Sequence, residues 1–223
     1  MPQFTSVNSD RGVNVGAYAR FGKRACDLFF SIVMMVLLLP LLVLVGILLK
    51  LTSKGPILFH QLRVGRDGQL FQIKKFRSMR AEAGELGPTI TKAGDRRITP
   101  LGRLLRKTKV DELPQFWNVL KGDMSIVGPR PEVPKYVELY TPEQLRVLSV
   151  RPGITDPASV AYRHEEALLE EQQDAERFYI ETLLPHKLVI NLKYLEEMSF
   201  LYDLRIVAAT ALQVLCIRTS RCV

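Results

Sequence analysis

The sequence predicts an α/β fold, mostly helical: a small globular domain with a β-hairpin, anchored by a re-entrant membrane helix. Three observations carry this expectation. Residues 28–49, "LFFSIVMMVLLLPLLVLVGILL", contain no charge over 22 positions and have basic residues on both sides. Two runs, "ILFHQLRVG" and "QLFQIKKFRSM", alternate apolar and polar residues around the turn "GRDG". Beyond residue 100, short segments with helix start and stop signals follow one another.

The elements follow in chain order. Residues 1–19 are polar and are expected to be a flexible segment. The uncharged run would reach roughly 33 Å as a straight helix, about the hydrocarbon thickness of a bilayer. It is too long, starts too late and lacks the small-residue cleavage site of a signal peptide. Pro40 sits at its centre, where it removes a backbone hydrogen bond and favours a kink or break. Arg20, Lys23 and Arg24 precede the run, and Lys50 and Lys54 follow it. Cations mark the cytoplasmic side, and here both ends qualify, so a helix that enters and leaves by one face is preferred to one that spans. The hairpin at 57–79 comes next, then a polar loop at 80–97. "TPLGRLLRKT" predicts a basic helix from Pro100, and "LPQFWNVLKGD" a second helix stopped at Gly122. "SIVGPRPEVPKY" and "RPGITDP" are expected as proline-pinned loops. A helix is expected over 141–149, an acidic one over 164–183, and another over 185–198. The uncharged twelve residues from Ile206 to Ile217 are too short to span; a core helix and an interfacial one both remain open.

The 223 residues carry a formal net charge of +8, which points to an anionic partner. Cys26, Cys216 and Cys222 form no CxxC and no disulfide framework. No finger spacing, HExxH or glycine-rich phosphate loop occurs. His60, His164 and His186 are not spaced as metal ligands and are taken as structural or surface residues. Cations cluster at Lys74, Lys75 and Arg77; at Arg96 and Arg97; and at Arg103, Arg106, Lys107 and Lys109. Attraction to anionic lipid, about 1 kcal/mol per cation near the surface, accounts for many of them. It accounts poorly for Arg130, which sits between two prolines on a stiff backbone suited to a fixed guanidinium–phosphate fork. No nucleic-acid readout motif is present.

The adjacent carboxylates Asp111 and Glu112, preceded by Arg106, Lys107 and Lys109, admit two readings. Local physics favours Asp111 as the N-cap of the following helix, with Glu112 supported by the helix dipole. The alternative is chemical: an ionised carboxylate can attack phosphorus while a second one holds Mg2+ against a diphosphate.

"KVDELPQFWNVLKGDMSIVGPRP" resembles the motif of the monotopic phosphoglycosyl transferases, bacterial sugar transferases that begin exopolysaccharide, O-antigen and glycoprotein glycan assembly. The likeness runs from about Phe21 to the C-terminus, through "KRACDLFFSIV", "GPILFHQLRVGRDGQLFQIKKFRSM", "DRRITPLGRLLRKT" and "VRPGIT". It implies a single membrane-anchored catalytic domain over 20–223, a small α/β fold with the re-entrant membrane helix at 20–50, a cytoplasmic part at 51–223 and amphipathic helices lying in the interface. The implied reaction moves a sugar 1-phosphate from a UDP-sugar to a polyprenyl phosphate and releases UMP, through a covalent aspartyl intermediate. Asp111 is then the nucleophile, and Glu112 its partner in Mg2+ binding or proton transfer. Lys75, Arg106 and Arg130 match family cations that meet phosphate or nucleotide; Arg77 and Arg151 are grouped with them as substrate-binding. Pro40 matches the helix-breaking proline. The implied location is the cytoplasmic face of the bacterial inner membrane; the implied partners are the bilayer and both substrates, with a homodimer left open. Two departures stand out. Leu39 replaces the serine that often precedes the membrane proline. "DPASVAYRHEE" replaces the usual "GWAQ", which leaves the sugar unassigned and Asp156, Arg163 and His164 as weak candidates for specificity. The rivals are a membrane-bound nucleotide-sugar hydrolase or phosphatase and a non-catalytic adaptor for anionic lipid.

Overall fold

The uncharged run folds as the body of one long helix, α1 (Lys23–Thr52), in the computed structural model, which describes residues 18, 22–80, 91 and 94–216. Apart from Tyr18, whose hydroxyl donates to Asp203 at 2.8 Å, the expected flexible N-terminal segment and most of the polar loop lie outside the described residues. Helical structure continues through Pro40, so any turn of the chain there is a bend within a continuous helix and not an unwound break.

The two ends of α1 are held by different chemistry. Lys23, Asp27 and Ser31, four apart and hence on one face, are buried. Lys23 forms an ion pair with Asp203. Asp27 accepts from Ser125 Oγ at 2.8 Å and from the Ile126 N–H at 3.0 Å. Arg24 donates to the carbonyls of Val119 and Leu120. At the far end Val45 and Leu49 pack with Phe76 and Leu105. Between these contacts Ile32, Val36, Leu37, Leu39 and Val43 are each more than half exposed. Both ends of α1 therefore rest on the same body, and its uncovered middle is the most apolar part.

The hairpin forms where expected: β1 (Leu58–Val64) pairs antiparallel with β2 (Leu70–Phe76), with His60 opposite Lys74. Asp67 and Gly68 turn the chain at φ 54° and 75°. Alternation in β2 buries Phe71 and Ile73 and gives Lys75 the same inward parity. α2 (Pro100–Lys107) begins at Thr99, whose side chain accepts from the Gly102 N–H at 2.9 Å. Gly102 lies so close to the Ser78 carbonyl that a Cβ would sit 1.9 Å from its oxygen, which seats α2 directly on the chain after β2. α3 (Gln115–Lys121) ends at Gly122, φ 100°, as its sequence required.

Two expected loops contain short strands. β3 (Ser125–Val127) pairs in parallel with β4 (Gly153–Thr155). The crossover between them contains α4 (Pro134–Val137) and a 3₁₀ segment, Gln144–Ser149, where a helix was expected. Gly128 and Gly153 bring the strands together; a Cβ on Gly153 would lie 2.2 Å from the Gly128 nitrogen. Three-residue strands carry too few positions for a period-2 pattern, which explains why they read as loops.

α5 (Pro157–Ala161) starts at the capping residue Asp156. The single acidic helix expected over 164–183 is corrected to α6 (Glu165–Glu170), α7 (Ala175–Phe178) and a π-helical turn over Tyr179–Leu183. Asp174 accepts from the Arg177 N–H at 3.0 Å and so starts a new helix inside the span. Repulsion among Glu165, Glu166, Glu170 and Glu171 works against one long run as well. α8 (Leu184–Glu197) and α9 (Phe200–Cys216) follow. Tyr136, Val137, Val147, Leu169, Tyr179 and Leu188 share the main core. α9 buries Asp203 and Ile206 and exposes Leu201, Leu204 and Leu212. One face of this segment packs, as the core reading expects, and the other is open.

Candidate active site

Lys109 turns the chain sharply, at φ 56°, into a single 3₁₀ turn, Val110–Glu112. This overturns the expected helix cap. The N-cap of α3 is Pro114, with no side-chain cap. Asp111 lies one turn too early to reach the first N–H groups of α3. Its Oδ1 atom is buried and has no hydrogen-bond partner. A buried carboxylate oxygen without a protein donor is costly, so a water, an ion or a ligand group is expected to meet it.

Glu112 is held from two sides. Its Oε1 takes the Lys75 ammonium at 2.8 Å and Arg130 Nη2 at 2.5 Å, and its Oε2 lies 3.4 Å from Arg130 Nη1. The three residues come from β2, the turn before α3 and the loop after β3. The two adjacent acids are driven apart in their titration. Burial raises the Asp111 carboxyl and the Glu112 charge raises it further, against Lys75, Lys109 and Arg106. Burial would raise Glu112 too, but Arg130, Lys75 and Lys109 outweigh it and hold Glu112 well below the usual carboxylate range. Burial lowers the Lys75 ammonium against the pull of Glu112, while Arg130 is pushed up by the Glu112 charge. Glu112 is therefore a fixed, ionised strut, and Asp111 carries the free oxygen.

The Arg130 loop is fixed at several points. Arg63 Nη1 donates to the Pro131 carbonyl at 2.9 Å, and the Val64 N–H donates to Glu132 at 2.9 Å. Glu132 accepts from Tyr179 Oη at 2.5 Å. Asp156, fully buried, accepts from Asn191 Nδ2 at 2.8 Å, the Ser159 N–H at 2.9 Å and the Arg130 N–H at 3.4 Å. Of the three weak candidates, Asp156 is thus tied to the site, whereas Arg163 and His164 are exposed.

The other expected cations stand differently. Arg106 forms an ion pair with Glu166 of α6. Arg77 is buried and donates to Ser53 O at 3.0 Å and Ser53 Oγ at 2.6 Å, which fastens the end of α1 to β2. Arg151 Nε donates to the Gly122 carbonyl at 2.9 Å, at the end of α3. Sequence reasoning overlooked Glu132, Asn191, Glu165, Glu166 and Lys187. Each reaches its partner from more than twenty residues away, and no local pattern marks such a pairing. His60, His164 and His186 are exposed, in keeping with their surface reading. Among the described residues no group of three or more His, Cys, Asp or Glu forms a metal cage.

Comparison with known proteins adds three results. The sequence profile of the bacterial sugar transferase family matches residues 18–216. A UDP-glucose:undecaprenyl-phosphate glucose-1-phosphate transferase of Escherichia coli K12 is 37% identical over 86% of the chain, and one of Caulobacter vibrioides is 38% identical over 84%. A UDP-N-acetylgalactosamine-undecaprenyl-phosphate N-acetylgalactosaminephosphotransferase of Aeromonas hydrophila is 42% identical over 64%. The chain spans 34% of the Aeromonas protein, 39% of the Escherichia protein and 67% of the Caulobacter one.

Proposed function

The chain belongs to the bacterial sugar transferase family, and from that membership we propose that it transfers a sugar 1-phosphate from a UDP-sugar to a polyprenyl phosphate and releases UMP. The observation that carries the proposal is the asymmetric acid pair: Asp111 with an unpartnered buried oxygen, beside a Glu112 pinned by Lys75 and Arg130. An Asp111 oxygen attacks the phosphorus that bears the sugar. The Asp–O–P bond forms, the bond from that phosphorus to the bridging oxygen breaks, and UMP leaves with the electron pair. A polyprenyl phosphate oxygen then attacks the same phosphorus and returns the carboxylate. Taking two anionic substrates in turn avoids holding both at once. Arg130 and Lys75 are held on Glu112, the neighbour of the attacking group, and would meet the negative charge that gathers on the phosphate. The pinned Glu112 keeps both cations in place before substrate arrives.

Mg2+ belongs to the same proposal. Mg2+ is commonly held by one or two carboxylates together with substrate phosphates, not by an all-protein cage. An orphaned Asp111 oxygen beside a second acid fits that mode, and Asp111 with Glu112 would hold the ion. When bound it would neutralise charge on the diphosphate.

The test is UMP release from a panel of UDP-sugars, with and without polyprenyl phosphate. Release should be sustained only with the lipid, and the sugar phosphate should be recovered on it. Equal sustained release without lipid would identify a hydrolase instead.

A re-entrant α1 on the cytoplasmic face of the inner membrane is also part of the proposal. It is supported by the basic flanks, the two ends packed on one body, and the exposed apolar middle. The exposed leucines of α9 would lie in the interface. In a chain freed of native cysteines, labels at Val15→Cys and Lys54→Cys should react from the same side of the membrane. Reaction from opposite sides would make α1 a spanning helix.

A further inference from the structure

The first turn of α6 places two carboxylates on cations around the site. Glu166 forms an ion pair with Arg106, sixty residues earlier. Glu165 Oε2 meets Lys187 Nζ at 2.9 Å. These contacts border the reacting region: α2, which carries Arg106, packs against the turn that holds Asp111, and Lys187 lines one cavity together with Arg130. The Arg106 side chain keeps 23% of its exposure, whereas Glu166 keeps 50%. The pair is therefore open to solvent mainly on its Glu166 side.

α6 is lightly held. It is six residues long, and Leu169 is its one buried side chain. Asp174 ends its run by starting α7. An element with so little apolar anchorage opens at low free energy compared with a core helix. Its pair to Arg106 is half exposed at Glu166, where such contacts are worth little, whereas the Glu165–Lys187 pair is largely covered. A guanidinium holds carboxylate and phosphate oxygens with the same planar fork, so the two compete for it.

On the transferase reading, we propose that Glu166 is a stand-in for substrate phosphate on Arg106, so that α6 covers the site in the free protein and is displaced when a substrate phosphate takes the arginine. The exchange replaces one anion by another at Arg106. It leaves the guanidinium paired in both states and opens the cover only for a phosphorylated ligand. The phosphate comes either from the diphosphate of the nucleotide sugar or from the monoester of the lipid. Glu165 follows as the second tether, held by Lys187.

The experiment measures equilibrium binding to the full chain in detergent, in an Asp111→Asn background that blocks turnover. One arm uses a UDP-sugar and the other a short-chain polyprenyl phosphate. Glu166→Gln and Glu166→Ala remove the competitor and should tighten binding in the arm whose phosphate uses Arg106, by about two- to fivefold. Added Arg106→Ala should erase that gain. Unchanged or weaker binding of both ligands in both Glu166 variants would overturn the cover. Transfer by the same variants with Asp111 restored keeps the two levels apart. Product with no change in affinity refutes the cover alone, whereas no product from any chain that retains Asp111 refutes the transferase reading.

Discussion

Asp111→Asn should abolish UMP release, with kcat/KM reduced at least about a thousandfold, in a chain that folds at least as well as the parent. An amide of the same shape has no oxygen able to form the acyl phosphate bond, so no residual route through this residue remains. The stability half of the expectation comes from the carboxylate's surroundings. Burial and the Glu112 charge raise the Asp111 carboxyl. A raised acid disfavours its own ionised form in the folded state, so its destabilising effect grows as pH rises from the unfolded-state value through the folded one. Asn removes that charge, so thermal unfolding at pH 7 should be unchanged or shifted upward. A variant that loses activity and stability together would instead mark Asp111 as structural.

Arg130→Met should lose both. The methionine keeps much of the stem volume but leaves Glu112, a buried carboxylate, with Lys75 as its remaining close cation. Breaking a buried pair in this way costs about 3 kcal/mol, which would appear as a lowered melting temperature. The sign with pH is fixed by the Glu112 shift. Arg130 and Lys75 outweigh burial and depress that carboxyl. The resulting stabilisation is present above the unfolded-state glutamate value and lost as pH falls through the depressed one. The difference between parent and variant should therefore be full at pH 7 and shrink in acid. Catalysis should fall as well, because Arg130 is the cation on the stiffest backbone in the site. Glu112→Gln in the same background should recover part of the stability by removing the unpaired charge, but should not restore turnover. Recovery of turnover would show that Arg130 serves only to hold Glu112.

Much of the fold was legible where the signal is local. The 22-residue uncharged run, the "GRDG" turn, Pro100 after Thr99 and Gly122 after α3 each specify their element within a few residues. Legibility failed where pairing is distant or elements are very short. β3 and β4 have three residues each and exist because Gly128 and Gly153 let the backbones approach. The acidic segment broke at Asp174 because a capping side chain wins over a continued helix in which glutamates repel. The site shows the same division. Asp111 and Glu112 were recognisable as a pair, and Lys75 and Arg130 as its cations. Which acid is pinned and which is free depends on contacts across 18 and 37 residues, and the cap reading of Asp111 depended on a helix start that the structure puts later, at Pro114. Asp156 was a weak candidate for specificity, and its contact with the backbone of Arg130 could not be read from the sequence.

The most direct measurement is a single-turnover reaction with a UDP-sugar and no lipid acceptor, quenched and read by peptide mass. A phosphosugar adduct on the peptide carrying Asp111, formed with one UMP per adduct and discharged on adding polyprenyl phosphate, is the expected result. Stoichiometric transfer to lipid with no adduct at any time, or an adduct on another residue, would contradict the covalent role of Asp111.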